Sequence, residues 1–220
     1  MAAPSPSHDR ALLYALLSRL AGYPMTTELL ELVQKLDVPD TQAGAAATEL
    51  QRMQDAIVSL GGPDTAAEAL NLEATRLFEG PGKPMAPPFA SFYLNGETLM
   101  GPETGAVRRA YLDAGFLPDP SVHLPPDHLS LELGFLGALA DRSAVVDATD
   151  AATARRSWWD FIANHLAPWL GRWHEDLRRA NAHPFYLGLA GFVGEIVDAD
   201  LAWLDETSEG LGVLALTTSE

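Results

Sequence analysis

The segment that follows Asp127 constrains this chain most. Leu129, Leu133, Leu136 and Ala140 fall on one row at helical spacing, and Leu131, Phe135 and Leu139 fall on a second. A helix with apolar residues on more than one side has to be enclosed by other elements. The fold is therefore expected to be built around this helix.

The enclosing elements read as further helices. Asp9 is placed to cap a helix with Leu12, Leu13, Leu16, Leu17 and Leu20 on one face, ended by Gly22 and Pro24. A shorter one carries Leu29, Leu32, Val33 and Leu36 and stops at Pro39. From about Thr41 the stripe is Ala46, Leu50, Met53, Ile57 and Leu60, closed by Gly61-Gly62-Pro63. Thr65 to Glu68 has capping-box spacing, before a helix with Leu70, Ala74 and Leu77. Glu103 to Ala114 is helical by pattern, and Gly115-Phe116 reads as its glycine cap.

Beyond the central helix comes an aromatic segment with Trp158, Ile162, His165, Trp169, Trp173 and Leu177, in which Pro168 is expected to break or kink the helix. Pro184 can open a last helix carrying Phe185, Leu189, Phe192 and Ile196. No stretch reads as a strand. The expectation is an all-α single-domain bundle spanning 1–220, with roughly nine or ten helices around a buried central one and flexible tails at 1–8 and 207–220.

One stretch departs from this regularity. Residues 80–102 hold prolines at 81, 84, 87, 88 and 102 and glycines at 80, 82, 96 and 101. A proline-rich loop of that length exceeds an ordinary connector and marks a functional or tightly packed segment. Leu77 and Phe78 precede it, and Phe89, Phe92 and Tyr93 lie within it, Phe89 directly after Pro88. Such residues belong either to the core or to the wall of a groove for an apolar peptide.

Composition narrows the function. The formal net charge is -16, from 30 acidic and 14 basic residues, which disfavours nucleic acid and would attract a basic peptide. There is no cysteine, which excludes disulfides and thiolate metal sites and fits a cytoplasmic protein. The segment Met1 to Asp9 lacks the pattern of a secretory signal, and no apolar run is long enough for stable membrane insertion.

The chemistry-bearing residues cluster before and within the central helix. Asp127 and His128 are adjacent, and Glu132 is four residues beyond His128 on the same helical face. They could anchor a ligand, or Asp127 could simply cap the helix while His128 packs against Glu132. Ser130 beside His128 is the only nucleophile–base candidate, and it lacks a nucleophile elbow. No metal-ligand spacing is found, and Gly80-Pro81-Gly82-Lys83 lacks the amide donors of a phosphate loop. No catalytic residue, metal or cofactor is assigned.

The order of motifs resembles the TorD/DmsD family of cytoplasmic chaperones for molybdenum-cofactor redox enzymes, related to NarJ. The matching runs are Leu77-Phe78-Glu79-Gly80-Pro81-Gly82-Lys83-Pro84, Ala86-Pro87-Pro88 and Ser91-Phe92-Tyr93. Further matches are Val107-Arg108-Arg109-Ala110-Tyr111 through Gly115-Phe116, Pro125-Pro126-Asp127-His128 with Glu132-Leu133, His165-Leu166-Ala167-Pro168-Trp169, and Phe185 to Ala190. They span about residues 70–200. The chain departs at Leu124, where the family hallmark carries glutamate, and at Phe89, where the family has tryptophan.

The resemblance implies a non-enzymatic chaperone. It would bind the twin-arginine leader and/or the apo form of a molybdenum-containing oxidoreductase, assist cofactor insertion and prevent premature export. A NarJ-like assembly chaperone without leader proofreading and a plain helical scaffold are the alternatives. The implied peptide-binding residues are Leu77, Phe78, Pro88, Phe89, Ser91, Tyr93, Asp127, His128 and Glu132. A monomer or a domain-swapped dimer would both be compatible.

Overall fold

A computed structural model describes residues 6–22, 24–37, 44–80, 82–119, 121–144 and 147–217, with side chains described for 7–206 within that set. Ten α-helical spans occur among the described residues. They are α1 (Pro6–Gly22), α2 (Thr27–Lys35), α3 (Ala45–Ser59), α4 (Pro63–Ala74), α5 (Ala90–Leu94), α6 (Pro102–Asp113), α7 (Leu129–Ser143), α8 (Ala148–Phe161), α9 (Ala167–Arg179) and α10 (Pro184–Thr217). There is no named strand among them, only an isolated antiparallel bridge between Phe89 and His128.

Helix α7 is the enclosed element. Both apolar rows are buried apart from the half-buried Leu131. Helix α1 lies along one side of α7 and α8 along another. Gly137 allows the close approach of α1, since a Cβ there would stand 3.3 Å from the Tyr14 Cβ. A second layer forms where α10 packs on α3 and α9. The layers are tied by Tyr14, whose hydroxyl donates to Asp200 Oδ2 at 2.6 Å, and by Arg10, whose Nε lies 2.8 Å from Asp200 Oδ1.

Several local expectations are corrected. Asp9 lies inside the first turn of α1 rather than capping it. The inward face of α1 is Tyr14, Leu17, Leu20 and Ala21, whereas Leu12 is 60% exposed. The Tyr14–Asp200 bond explains this rotation, because it demands that Tyr14 point inward. Leu32 of α2 is also exposed, and Leu30 is buried instead. The capping box at Thr65 does not form. Helix α4 begins two residues earlier with Pro63 at its first position, after Gly61 and Gly62 take positive φ angles of 90° and 95°.

Pro168 does not break the aromatic segment. A π-helical turn, Ile162–Leu166, joins α8 to α9, and the Ala167 N–H closes it on the Ile162 carbonyl. That widened turn lets the missing proline donor fall where the hydrogen-bond register is already shifted. A matching π-helical turn, Thr75–Glu79, extends α4 and ends at Gly80, whose N–H reaches the Thr75 carbonyl at 2.7 Å. Helix also covers part of both expected tails, from Pro6 in α1 and to Thr217 in α10. The expected stop at Pro39 and the start near Thr41 lie outside the described residues.

Candidate functional site

The proline-rich loop is sewn onto the segment that leads into α7. The Ala90 N–H donates to the Asp127 carbonyl at 3.0 Å, and the Leu129 N–H donates to the Pro88 carbonyl at 2.9 Å. These two bonds frame the Phe89–His128 bridge. On its side-chain faces the Phe89 ring meets the His128 ring edge-on, with centroids 4.8 Å apart. Upstream, the Leu77 carbonyl accepts both the Met85 and Ala86 N–H groups at 2.9 Å. The Trp173 indole N–H holds the Ala86 carbonyl at 3.1 Å. The loop is thus fixed at three points, by the π-helical turn, by α9 and by the entry to α7.

His128, not Asp127, caps α7. Its Nδ1 accepts the Ser130 N–H at 3.1 Å. That acceptor role leaves the Ser130 hydroxyl to donate to the same nitrogen at 2.8 Å. The neutral ring therefore carries its proton on Nε2. Burial lowers its pKa from 6.5 to about 4, with the Asp127 charge only partly opposing the fall, so the ring stays neutral near neutral pH. Ser130 and His128 do touch, as a nucleophile and base would. Both are nonetheless buried, and the contact is part of the local cap that His128 places on α7.

Asp127 caps a different helix. Its Oδ2 accepts the Ser91 N–H at 2.9 Å, in the first turn of α5. Ser91 in turn accepts the Met100 N–H on its hydroxyl at 3.2 Å, closing the loop that follows α5. Two non-glycine residues of that loop, Glu97 and Met100, have φ of 64° and 60°. Such conformations persist only where surrounding contacts fix them.

Glu132 lies one turn into α7 and is wholly buried. Its backbone N–H donates to the His128 carbonyl at 3.1 Å, but its side chain does not bond His128; both of its carboxyl oxygens lack a partner, as does Asp127 Oδ1. Burial, and secondarily the Asp127 charge, pushes the Glu132 pKa well above the usual carboxylate range. The Trp169 indole offsets part of that rise, although its Nε1 closes no hydrogen bond of ordinary geometry. Tyr111 of α6 stands over the same acids. Its hydroxyl donates to the Pro126 carbonyl at 2.8 Å, and burial with the Glu132 and Asp127 charges raises its pKa.

Of the residues singled out from sequence, Leu77, Phe78, Pro88, Ser91, Tyr93, Asp127, His128 and Glu132 are buried and Phe89 is half-buried. Pro88, Phe89, Ser91, Asp127 and His128 meet directly through the bonds above. Phe78 instead faces Tyr186 of α10, edge-on at 5.3 Å. Tyr93 stacks on Trp169 at 5.6 Å with 14° between the planes. The Tyr93 hydroxyl is buried without a partner, and the residue lines a groove with Phe92, Gly96, Glu97, Arg172 and Asp176. The Arg172 guanidinium holds the Tyr93 carbonyl at 2.7 Å. Leu124 is half-buried ahead of the Pro125–Pro126 turn, and the bonds of Asp127 and His128 form without a carboxylate there.

Sequence reasoning missed Tyr111, Arg172 and the role of Trp169 in this cluster. The motif His165 to Trp169 was the available signal for the last. Among the described residues no group of three or more His, Asp or Glu side chains could hold a metal ion, and no helix is long and apolar enough to cross a membrane.

Comparison with known proteins adds the family. The family described as nitrate reductase delta subunit matches residues 39–175. The chain is similar to the chaperone protein TorD of Vibrio parahaemolyticus, 26% identical over 207 residues that cover 90% of this chain and 95% of that one. The TorD of Aliivibrio fischeri is 27% identical over 205 residues, with the same coverage. A selenate reductase assembly chaperone of Thauera selenatis is 38% identical over 91 residues, 40% of this chain and 46% of that protein.

Proposed function

Because the chain belongs to the nitrate reductase delta subunit family, we propose that it is a chaperone in the assembly of a molybdenum-containing oxidoreductase, and not itself an enzyme. Its client is the immature, apo form of that enzyme, recognised through a twin-arginine leader. The protein acts in the cytoplasm, before the client is exported. Binding there holds the client back while its cofactor is inserted.

The observation that best supports this reading is the joint between Phe89 and His128. It gathers the proline-rich loop, the α5 turn and the entry to α7 into one cluster of apolar walls and polar anchors. The charge of -16 suits a basic leader, which would be drawn in over long range. The cluster is closed in this structure, so leader binding requires Pro88 to Ser91 to shift from Asp127 and Leu129.

The test is calorimetry of the full chain with the leader of a molybdoenzyme encoded nearby, together with the maturation of that enzyme in a deletion strain. Binding of the leader and loss of mature enzyme are expected. No binding to any such leader and normal maturation would sink the reading. A second reading has its own support, because the family description is that of a nitrate reductase subunit. In it the catalytic subunit itself is the target, and the chain binds a client lacking a leader with the same affinity.

A further inference from the structure

The interior of the cluster carries more hydrogen-bonding capacity than the protein uses. Asp127 Oδ1, Glu132 Oε1 and Glu132 Oε2 are all buried and all without a partner. Buried carboxyl oxygens are ordinarily paired, and three orphans in one place call for an explanation. A proton on Glu132, even if shared with Asp127 Oδ1, pairs at most two of the three and leaves at least one without a partner. No lysine or arginine among the described residues forms an ion pair with either acid.

The surroundings favour one kind of donor. The acids are walled by flat π systems: the Trp169 indole beside Glu132, Tyr93 stacked on that indole, the Tyr111 ring and the His128 imidazole. A guanidinium is planar, presents five N–H donors in a fork and stacks on aromatic faces. An ammonium offers three donors around a point and is more strongly hydrated.

The cover on the Asp127 side is slight. There it consists of the five-residue helix α5, the bond from Ser91 to Asp127 and the two backbone bonds at Pro88 and Ala90. It continues into the loop with left-handed Glu97 and Met100.

We propose that the Asp127–Glu132 pair receives a guanidinium group from a bound polypeptide when the α5 cover lifts. The inference rests on the leader-binding reading and makes it specific: one arginine of the leader enters between the two acids. In the closed protein burial favours the protonated form of Glu132, and the groups facing it are Asp127 from the α7 entry, Tyr111 from α6 and Trp169 from α9. An arriving guanidinium favours the ionised acid, so the Glu132 proton leaves to solvent as the complex forms.

The test has two arms. In the first, leader peptides with the arginine pair intact or replaced by lysines are titrated into the full chain in two buffers of different ionisation enthalpy. The arginine peptide is expected to release about one proton on binding. The lysine peptide should bind on the order of tenfold more weakly, since the bidentate fork is lost. Glu132→Gln should abolish proton release and bring the two peptides together.

In the second arm, infrared difference spectra follow the protonated-carboxyl band assigned by its absence in Glu132→Gln, upon addition of arginine amide or lysine amide. Loss of the band with arginine amide alone is expected. Peptides that bind without proton release or arginine preference, and a band that does not respond, would overturn the guanidinium site and leave leader binding standing. A band that responds to arginine amide, with no leader bound, would support the site and overturn the leader reading. Silence in both arms overturns both.

Discussion

Asp127 caps a helix to which it does not belong, accepting the Ser91 N–H at 2.9 Å across 36 residues of sequence. The bond makes the order of the proline-rich loop depend on a residue at the threshold of the central helix. Asp127→Ala should therefore cost about 1–2 kcal/mol in chemical denaturation, the range for a lost helix cap. Amide exchange should rise at Ser91 and through 95–101, with α3 and α10 unaffected. Asp127→Asn keeps an acceptor oxygen and should retain most of the protection. Unchanged exchange at Ser91 in the alanine variant would contradict the cap.

Tyr93 carries a buried hydroxyl without a partner, and burial, with the nearby Asp176 charge adding to it, raises its pKa. Removing an unpaired polar atom relieves its desolvation cost. Tyr93→Phe should be neutral to stabilising by about 1 kcal/mol in thermal or denaturant unfolding. A client that uses this hydroxyl should bind the phenylalanine variant more weakly despite the gain in stability. Opposite signs for the two measurements would separate a ligand contact from a packing role.

Leu77 makes the complementary case. It is fully buried, and its carbonyl anchors Met85 and Ala86. Leu77→Ala should destabilise by about 2–5 kcal/mol through the cavity it leaves. Any loss of client binding in that variant has to be read at a temperature where it is still folded, and circular dichroism melts recorded with the binding data provide the check.

Two glycines of α10 should respond oppositely to alanine. A Cβ on Gly188 would stand 2.8 Å from Met53 Cγ and 2.9 Å from the Glu49 carbonyl of α3. The carbonyl cannot yield without moving the helix, so Gly188→Ala should cost about 1–3 kcal/mol. Gly194 has open space around that position, and Gly194→Ala should gain about 0.5–1 kcal/mol from helix propensity. Midpoints of urea unfolding would rank the three proteins.

Two buried groups give pH dependences of opposite sign. His128 falls from 6.5 to about 4 on folding, so the unfolded chain binds more protons between those values. Its contribution is fully present above pH 6.5 and is lost as pH drops towards 4, by up to about 3 kcal/mol. Asp200 rises from 3.8 to about 6, because burial outweighs Arg10 and Tyr14. Its contribution is fully present below pH 3.8 and is lost as pH rises to 6, by a similar amount. The stability difference between the parent and His128→Gln should grow from pH 4 to 6.5, and that with Asp200→Asn should shrink from pH 4 to 6.

Much of this fold could be read from local pattern. The α3 stripe, the α7 rows and the glycine cap of α6 depend on neighbours in sequence, and there the expectations hold. The Phe116 N–H indeed reaches the Tyr111 carbonyl at 2.8 Å beyond Gly115, whose φ is 69°. The readings that failed depend on distant partners. The rotation of α1 follows from a hydrogen bond between Tyr14 and Asp200, 186 positions apart. Asp127 loses the α7 cap to His128 because its carboxylate is engaged by Ser91. Pro168 is carried through by a π-helical turn that no residue preference announces.

The candidate site divides in the same way. The loop and the Asp127-His128 step stand out in composition and motif, so their membership of one cluster was legible. Their burial was not, since an aromatic beside a proline has the same sequence signature in a wall and in a core. Trp169 enters the cluster only because the π-helical turn swings α9 beneath Tyr93.

The pairing of α1 with α7 and of α3 with α10 has a consequence in time. Neither partner of α1 or α3 exists until most of the chain has left the ribosome, and contacts between such distant segments form slowly. The clasp between Phe89 and His128 likewise waits for the entry to α7 to be synthesised. A nascent chain short of α10 has no finished second layer on which to seat Trp169 and Trp173. The protein must therefore be made to completion, and settle, before it can attend to another protein's unfinished state.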